Sequence, residues 1–370
     1  MRNIKQLQEH LKITLDFQQR YPGYDLQDRK IHVLYVHPYL TAEDYYSCIL
    51  AALELNTTNT HRTLITEIAQ ENTDRNLAKS IQNLDNRLLV WADYIVFPTL
   101  FTPLDHVFKA IRYLYPRLKL VMCWNRDITQ IEDQQTLLTN MHSCDFIMSS
   151  NEMTFDDELL KKYCPELKNN FFYIPPLISS FGYQCFTSEK KIISKALRIG
   201  IFGNGDDQMN WAVSLLKHIY KTKDMIKPTL IFMDYTDSFI PKDLLDVCTL
   251  EFSRTVPFDC YTEHLQKLQL DVAVLSATEH PFYKSIHTYL ELMVQGSAMI
   301  IDENHPAVNY ILENKNGLIA RDFNDWAIHL YKLITNNSYR KRLSEDSQKI
   351  VWRDYSFDDK TIKILTGLFL

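Results

Sequence analysis

The stretch 271–302, DVAVLSATEHPFYKSIHTYLELMVQGSAMIID, decides how the rest of the chain is read. It opens on an apolar run from Asp271 to Ala277, crosses an irregular loop holding Pro281, and continues in a helical pattern from Ser285 to Gln295. Gly296 follows the helix, and Ser297 to Asp302 is a second apolar run. Two continuous apolar runs joined by a helix form a strand–helix–strand unit, the crossover that links parallel strands buried on both faces.

The same alternation extends in both directions. Upstream, LRIGIFGN (197–204), TLIFMD (229–234) and LEFSRTV (250–256) read as strands, with helices over 210–220 and 260–268; downstream come a helix after Pro306, a short strand LIAR (318–321), and helices over 324–335 and 339–351. The first half repeats the pattern. After a leading helix carrying Ile4, Leu7, Leu11 and Leu15, strands are expected at 31–40, 61–68, 92–100, 119–125, 145–150 and 170–177, with helices at 42–55, 75–86, 104–115 and 134–142. Between Ser179 and Ala196 the chain turns polar and charged, SSFGYQCFTSEKKIISKA, which marks a linker. The expectation is an α/β protein with two Rossmann-like, doubly wound domains facing across a cleft: residues 1–190, residues 197–352, and a tail at 353–370 packing back on the first domain. Ligands of such sheets collect at the carboxyl ends of the strands.

Composition narrows the function classes. A chain of 370 residues with 46% hydrophobic and 23% charged residues is neither disordered nor fibrous, and it is long enough for two cores. Forty Lys and Arg against 46 Asp and Glu leave a net charge of −6, which counts against a protein that lives on nucleic-acid phosphates, although a local basic face stays open. Only 8 glycines occur, so phosphate-cradling glycine loops cannot be numerous. The 7 cysteines never fall as C-x-x-C, which points to a reducing compartment. No signal-like segment and no run of 18 apolar residues is present, so a cytoplasmic protein without a membrane span is expected. His280, His287 and His305 do not form an H-E-x-x-H or a ligand-spaced cluster, and neither a G-x-S-x-G elbow nor a Walker sequence occurs.

The residues that carry chemistry gather in the opening stretch. Lys284 stands at a helix start, where free amides and the positive end of the helix dipole favour an anion. Glu291 lies seven residues on, two helical turns, with His287 and Thr288 between, so it returns toward the same face. A diphosphate at Lys284 would bring an attached sugar within reach of the Glu291 carboxylate, whose oxygens accept from vicinal hydroxyls. The competing reading is an exposed helix with scattered charge and Gly296 as its C-cap.

The segment resembles the donor-binding stretch of the retaining group-1 glycosyltransferases of GT-B fold, which runs K-S-x-x-K-x-L-E before a glycine and a strand. Lys284, Ser285, Leu290, Glu291 and Gly296 carry the likeness. Downstream, Asn316, Gly317, Leu318, Asp325, Trp326, Arg340 and Leu343 are similar to the family's ending. Two positions depart: Thr288 replaces the family's second lysine, and Tyr283 stands where many relatives hold a glutamate.

The resemblance implies a transferase that moves a hexose or pentose from a UDP- or GDP-sugar to a hydroxyl of a glycan, glycolipid or similar acceptor, with retention and with neither metal nor further cofactor. It places Gly203, Asn204, Gly205, Arg254, Lys284, Ser285, His287 and Glu291 at the donor. Lys284 and Arg254 would stabilise the departing diphosphate. In the first half His37, in the turn after the first strand, is a candidate catalytic contact to the donor or the acceptor, and Asp127, beside Asn125 after another strand, to the acceptor or the transferred sugar; a loop histidine and a helix-capping aspartate are the plainer readings. The departures at Tyr283 and Thr288 motivate an alternative, a GT-B-like binding or assembly protein without turnover. A transferase acting on a modified base in phage DNA is the third reading, and peripheral contact with a membrane stays open.

Overall fold

A computed structural model describes residues 30–37, 50–67, 86–97, 105–124, 134–149, 170–174, 177–178, 196–202, 214–217, 219, 227–233, 246–253, 258–276, 286–357 and 359–370. The chain forms two compact units, Met1–Tyr183 with Phe357–Leu370, and Gln184–Ser356.

In the first unit the described elements are β1 (Ile31–His37), α1 (Leu50–Asn56), β2 (His61–Glu67), α2 (Asn86–Trp91), β3 (Tyr94–Phe97), α3 (Asp105–Leu114), β4 (Lys119–Trp124), α4 (Gln134–His142), β5 (Phe146–Ser149) and β6 (Phe171–Tyr173). The strands pair in parallel in the order β2-β1-β3-β4-β5-β6. All four β3 residues are buried, as a strand covered on both faces requires. One core layer joins Ile95, Phe97, Leu120 and Met122 to Val107, Phe108 and Ile111 of α3.

The second unit holds β7 (Arg198–Phe202), β8 (Thr229–Met233), β9 (Thr249–Ser253), α5 (Phe258–Leu268), β10 (Val272–Leu275), α6 (Ile286–Gln295), β11 (Ala298–Asp302), a 3-10 turn (Pro306–Tyr310), β12 (Leu318–Ala320), α7 (Phe323–Thr335) and α8 (Asn337–Asp354). Its sheet is also parallel, ordered β12-β11-β10-β7-β8-β9. The strand–helix–strand reading of 271–302 is met by β10, α6 and β11, whose strands lie side by side in parallel.

Three aspartates set the amino ends of these sheets in the same way. Asp93, Asp145 and Asp271 each stand one residue before a strand, and their carboxylates accept the backbone N–H of His32 (2.9 Å), Leu120 (2.8 Å) and Arg198 (2.9 Å) on the neighbouring strand. Each therefore satisfies a strand-end amide that the ladder leaves over. Arg198 adds a two-point pairing with Glu251 (3.0 and 2.7 Å), which ties β7 to β9 across the intervening β8.

The structure differs from the sequence expectation in the segment after Pro306, and it adds two unexpected helices. The helix expected after Pro306 is a short 3-10 turn. Asn316 explains this: its Oδ1 accepts the Leu312 N–H (2.6 Å) that would otherwise extend the helix, and its Nδ2 donates to the Tyr310 carbonyl (3.0 Å). One of the added helices is α2 before β3; residues 75–85 of the helix expected over 75–86 lie outside the described residues. The other is α9 (Asp359–Leu368) in the tail, which lies against α1 of the first unit. Phe369, fully buried, meets Tyr94 edge-on at 5.1 Å and His61 at 6.4 Å. The leading helix and the polar linker fall outside the described residues.

Candidate functional site

Strand order locates the crevice of the second unit. The chain runs outward from β7 through β8 to β9, then crosses to the other side of β7 and runs outward again through β10, β11 and β12. The reversal lies between β7 and β10, and in open parallel sheets the crevice at the carboxyl ends of such a pair is where ligands bind. Phe202 and Leu275 stand opposite one another at these ends. The next residue, Ser276, fastens them: its N–H (3.3 Å) and its hydroxyl (3.0 Å) both donate to the Phe202 carbonyl.

Gly203, Asn204 and Gly205 follow β7 directly, and the segment holding Lys284 and Ser285 follows β10; these five lie outside the described residues, as do Arg254 and Asp127. Sequence reasoning thus chose segments that leave from the two strands flanking the reversal. Arg254 follows β9, which is separated from β7 by β8, a lateral offset of about 10 Å. In the first unit the reversal falls between β1 and β3, and His37 is the last residue of β1.

Helix α6 is where the structure decides most. It is buried from His287 to Val294, which overturns the reading of an exposed helix with scattered charge. Its polar residues are therefore interior groups: Glu291 is 1% exposed, Thr288 3% and His287 4%. Burying a carboxylate is costly without compensating hydrogen bonds. Thr262 of α5 supplies one, donating its hydroxyl to Glu291 Oε1 at 3.0 Å. Nothing in the sequence marks Thr262, since the contact joins residues 29 apart on two helices. On another face of α5, His264 hydrogen-bonds Ser253 at the end of β9.

The far end of α6 is clamped by α8. Gly296 adopts φ +74°, which glycine enters without the steric cost a Cβ brings, and a Cβ there would approach Gln348 Nε2 to 2.7 Å. Ser344 donates to the Gly296 carbonyl (2.5 Å) and Gln348 to that of Val294 (2.9 Å), so the last helical carbonyls are capped by side chains. The C-cap reading of Gly296 holds together with burial of the helix.

Burial pushes the His287 imidazole down from 6.5 to about 3, so it is neutral at neutral pH and offers the site hydrogen bonding but no charge. The unfolded chain binds the proton first as pH falls, so this group's contribution to stability is complete above pH 6.5 and is lost progressively toward pH 3. The expected loss from His287 by about pH 4.5 is about 2–3 kcal/mol. Urea melts across this range would show it as a shallower acid limb for His287→Gln than for the parent; equal slopes would contradict it.

Among the described residues no group of three or more His, Cys, Asp or Glu could hold a metal ion, and no helix is long and apolar enough to cross a membrane.

No family model and no curated protein matches this sequence. Solved structures do match. Sucrose-phosphate synthase from Thermosynechococcus elongatus is 11% identical, with 91% of this chain and 98% of that chain covered and a TM-score of 0.58. A glycosyltransferase from Rickettsia africae is 11% identical over 92% and 98% of the two chains, at a TM-score of 0.56. HepE from Anabaena, solved in complex with UDP, is 10% identical over 91% and 98%, at 0.54. Identities this low bear on the fold alone, and with the two parallel sheets they establish it: the chain is a GT-B-fold protein made of two Rossmann-like units.

Proposed function

We propose that the protein is a glycosyltransferase that takes a sugar from a UDP- or GDP-sugar and passes it, with retention, to a hydroxyl of a glycan or glycolipid. The observation that carries this reading is the strand reversal between β7 and β10. Gly203–Gly205 follow one of these strands, Lys284 follows the other, and the helix after Lys284 holds the buried carboxylate of Glu291. A sugar nucleotide needs these groups in this order: amides and a cation for the diphosphate, a carboxylate for ribose hydroxyls. In this reading Ser285 and His287 complete the donor seat by hydrogen bonding. The chemistry is electrostatic, with Lys284, Arg254 and the amides of the helix start stabilising charge on the departing diphosphate. His37 and Asp127 are assigned to the acceptor side.

The test is calorimetric titration of the full chain with UDP and GDP, together with donor hydrolysis assays. Glu291→Ala is expected to weaken binding of the preferred nucleotide about 10–150-fold, the loss of one charge-assisted pairing. Unchanged affinity in a variant that still melts cooperatively would remove Glu291 from the donor site. A binding protein without turnover is the second reading: Thr288, at the place of the family's second lysine, is buried and uncharged. It predicts nucleotide binding with no sugar release across a panel of donors.

A further inference from the structure

We propose that Thr262 is a positioning residue for the Glu291 carboxylate and thereby sets a preference for ribonucleotide over 2′-deoxyribonucleotide donors. The inference rests on the donor reading given above and adds to it a residue from a different helix. α5 follows β9, α6 follows β10, and the two helices are in contact. Along α5, Tyr261 and Leu265 are buried one turn apart and form the inward stripe, while Lys267 pairs with Glu263 (2.8 Å) on the outward side. Helical spacing puts Thr262 on the flank between them. From that flank it reaches the middle of α6, 29 positions on in the chain.

The bond is directional. A threonine inside a helix commonly turns its hydroxyl back to a carbonyl one turn earlier, but the Thr262 hydroxyl donates its single proton across to Glu291 Oε1 at 3.0 Å. Its β-branch restricts the first side-chain torsion, so the donor keeps its place. Glutamate has the opposite character, because its last torsion is broad and leaves the carboxylate plane free to turn. Holding one oxygen from α5 sets that plane.

A carboxylate offers about four acceptor positions, so the bond from Thr262 leaves capacity for a ligand. Two vicinal ribose hydroxyls are engaged together only by a carboxylate whose plane matches theirs. A plane fixed before binding spares the cost of ordering it on binding. Loss of the Thr262 hydroxyl therefore weakens the grip on the hydroxyl pair and has much less effect on a sugar that lacks one of the two.

Calorimetric titration of the full chain with UDP, GDP and their 2′-deoxy forms tests the assignment, read on whichever base binds more tightly. The parent is expected to prefer the ribose form about tenfold or more. Thr262→Val removes the donor and keeps the branched shape. It should weaken the ribose form about tenfold and the 2′-deoxy form by less than about threefold, and Thr262→Ser should restore the parent's preference. Should the valine variant fail to melt cooperatively, Thr262→Ala is read in its place, since alanine favours the helix. A merely structural role would weaken both nucleotides alike and would overturn the proposal. So would equal affinity of the parent for the two sugars, unchanged binding by Thr262→Val, or a serine variant that behaves like valine. Glu291→Ala separates the two levels. If it leaves affinity unchanged, the donor reading falls; if it weakens binding and Thr262→Val does not, only the role of Thr262 is lost.

Discussion

Replacing Lys284 with alanine is expected to lower turnover about 10²–10³-fold while leaving nucleotide affinity within about tenfold. The asymmetry follows from where charge develops. The diphosphate carries its negative charge in the ground state, and more accumulates on the bridging oxygen as the sugar departs, so a cation there is worth most in the transition state. Lys284 stands two residues before the start of α6 in sequence, and in the proposed donor seat the amides of that helix end would continue to hold the nucleotide when the side chain is gone. Lys284→Arg keeps the charge on a different donor geometry and should recover part of the rate. Single-turnover assays with the preferred donor separate the two constants. Undiminished transfer by purified Lys284→Ala would refute the assignment, and an equal loss in affinity and rate would make Lys284 a binding group alone.

The largest effect on stability is expected from Asn316. The residue is fully buried; its side chain holds the Leu312 amide and the Tyr310 carbonyl, and its backbone carbonyl accepts from Ser347 of α8 at 2.8 Å. One residue thus ends the 3-10 turn and anchors the loop that leads into β12. Asn316→Ala leaves two backbone groups without their side-chain partner, and because Leu312 itself is half-exposed, water recovers part of the loss. The expected destabilisation is about 2–4 kcal/mol, or a fall in melting temperature of roughly 5–15 °C for a unit of this size. Asn316→Asp keeps the acceptor for Leu312 and loses the donor to Tyr310, so it should fall between alanine and the parent. A melting temperature for Asn316→Ala within about 2 °C of the parent would contradict this account.

Asn316 also shows how motif and role come apart. The run Asn316-Gly317-Leu318 forms part of the family likeness, which places it in a glycosyltransferase ending without saying what it does. In the fold it is a structural hinge point, since both polar ends of the amide are spent on the loop's own backbone. Glu291 presents the reverse case. Its spacing from Lys284 suggests a donor contact, but the pattern gives no sign that the whole helix is buried or that Thr262 reaches across to hold one carboxylate oxygen.

What the sequence by itself determined is the alternation of strands and helices, its restart after the polar stretch near residues 179–196, and the candidate residues that follow the strand ends. These are local properties: a strand covered on both faces must be apolar throughout, and a helix must repeat every three to four residues, whatever its neighbours are. The tertiary structure alone decided the strand order that puts the reversal between β7 and β10, the three aspartates that finish the neighbouring strands, and the fate of each polar side chain on α6. Periodicity records how many faces a segment buries and not against what. The partner of Glu291 lies 29 residues away and that of the Arg198 amide 73 residues away, so those contacts exist only once the chain has folded.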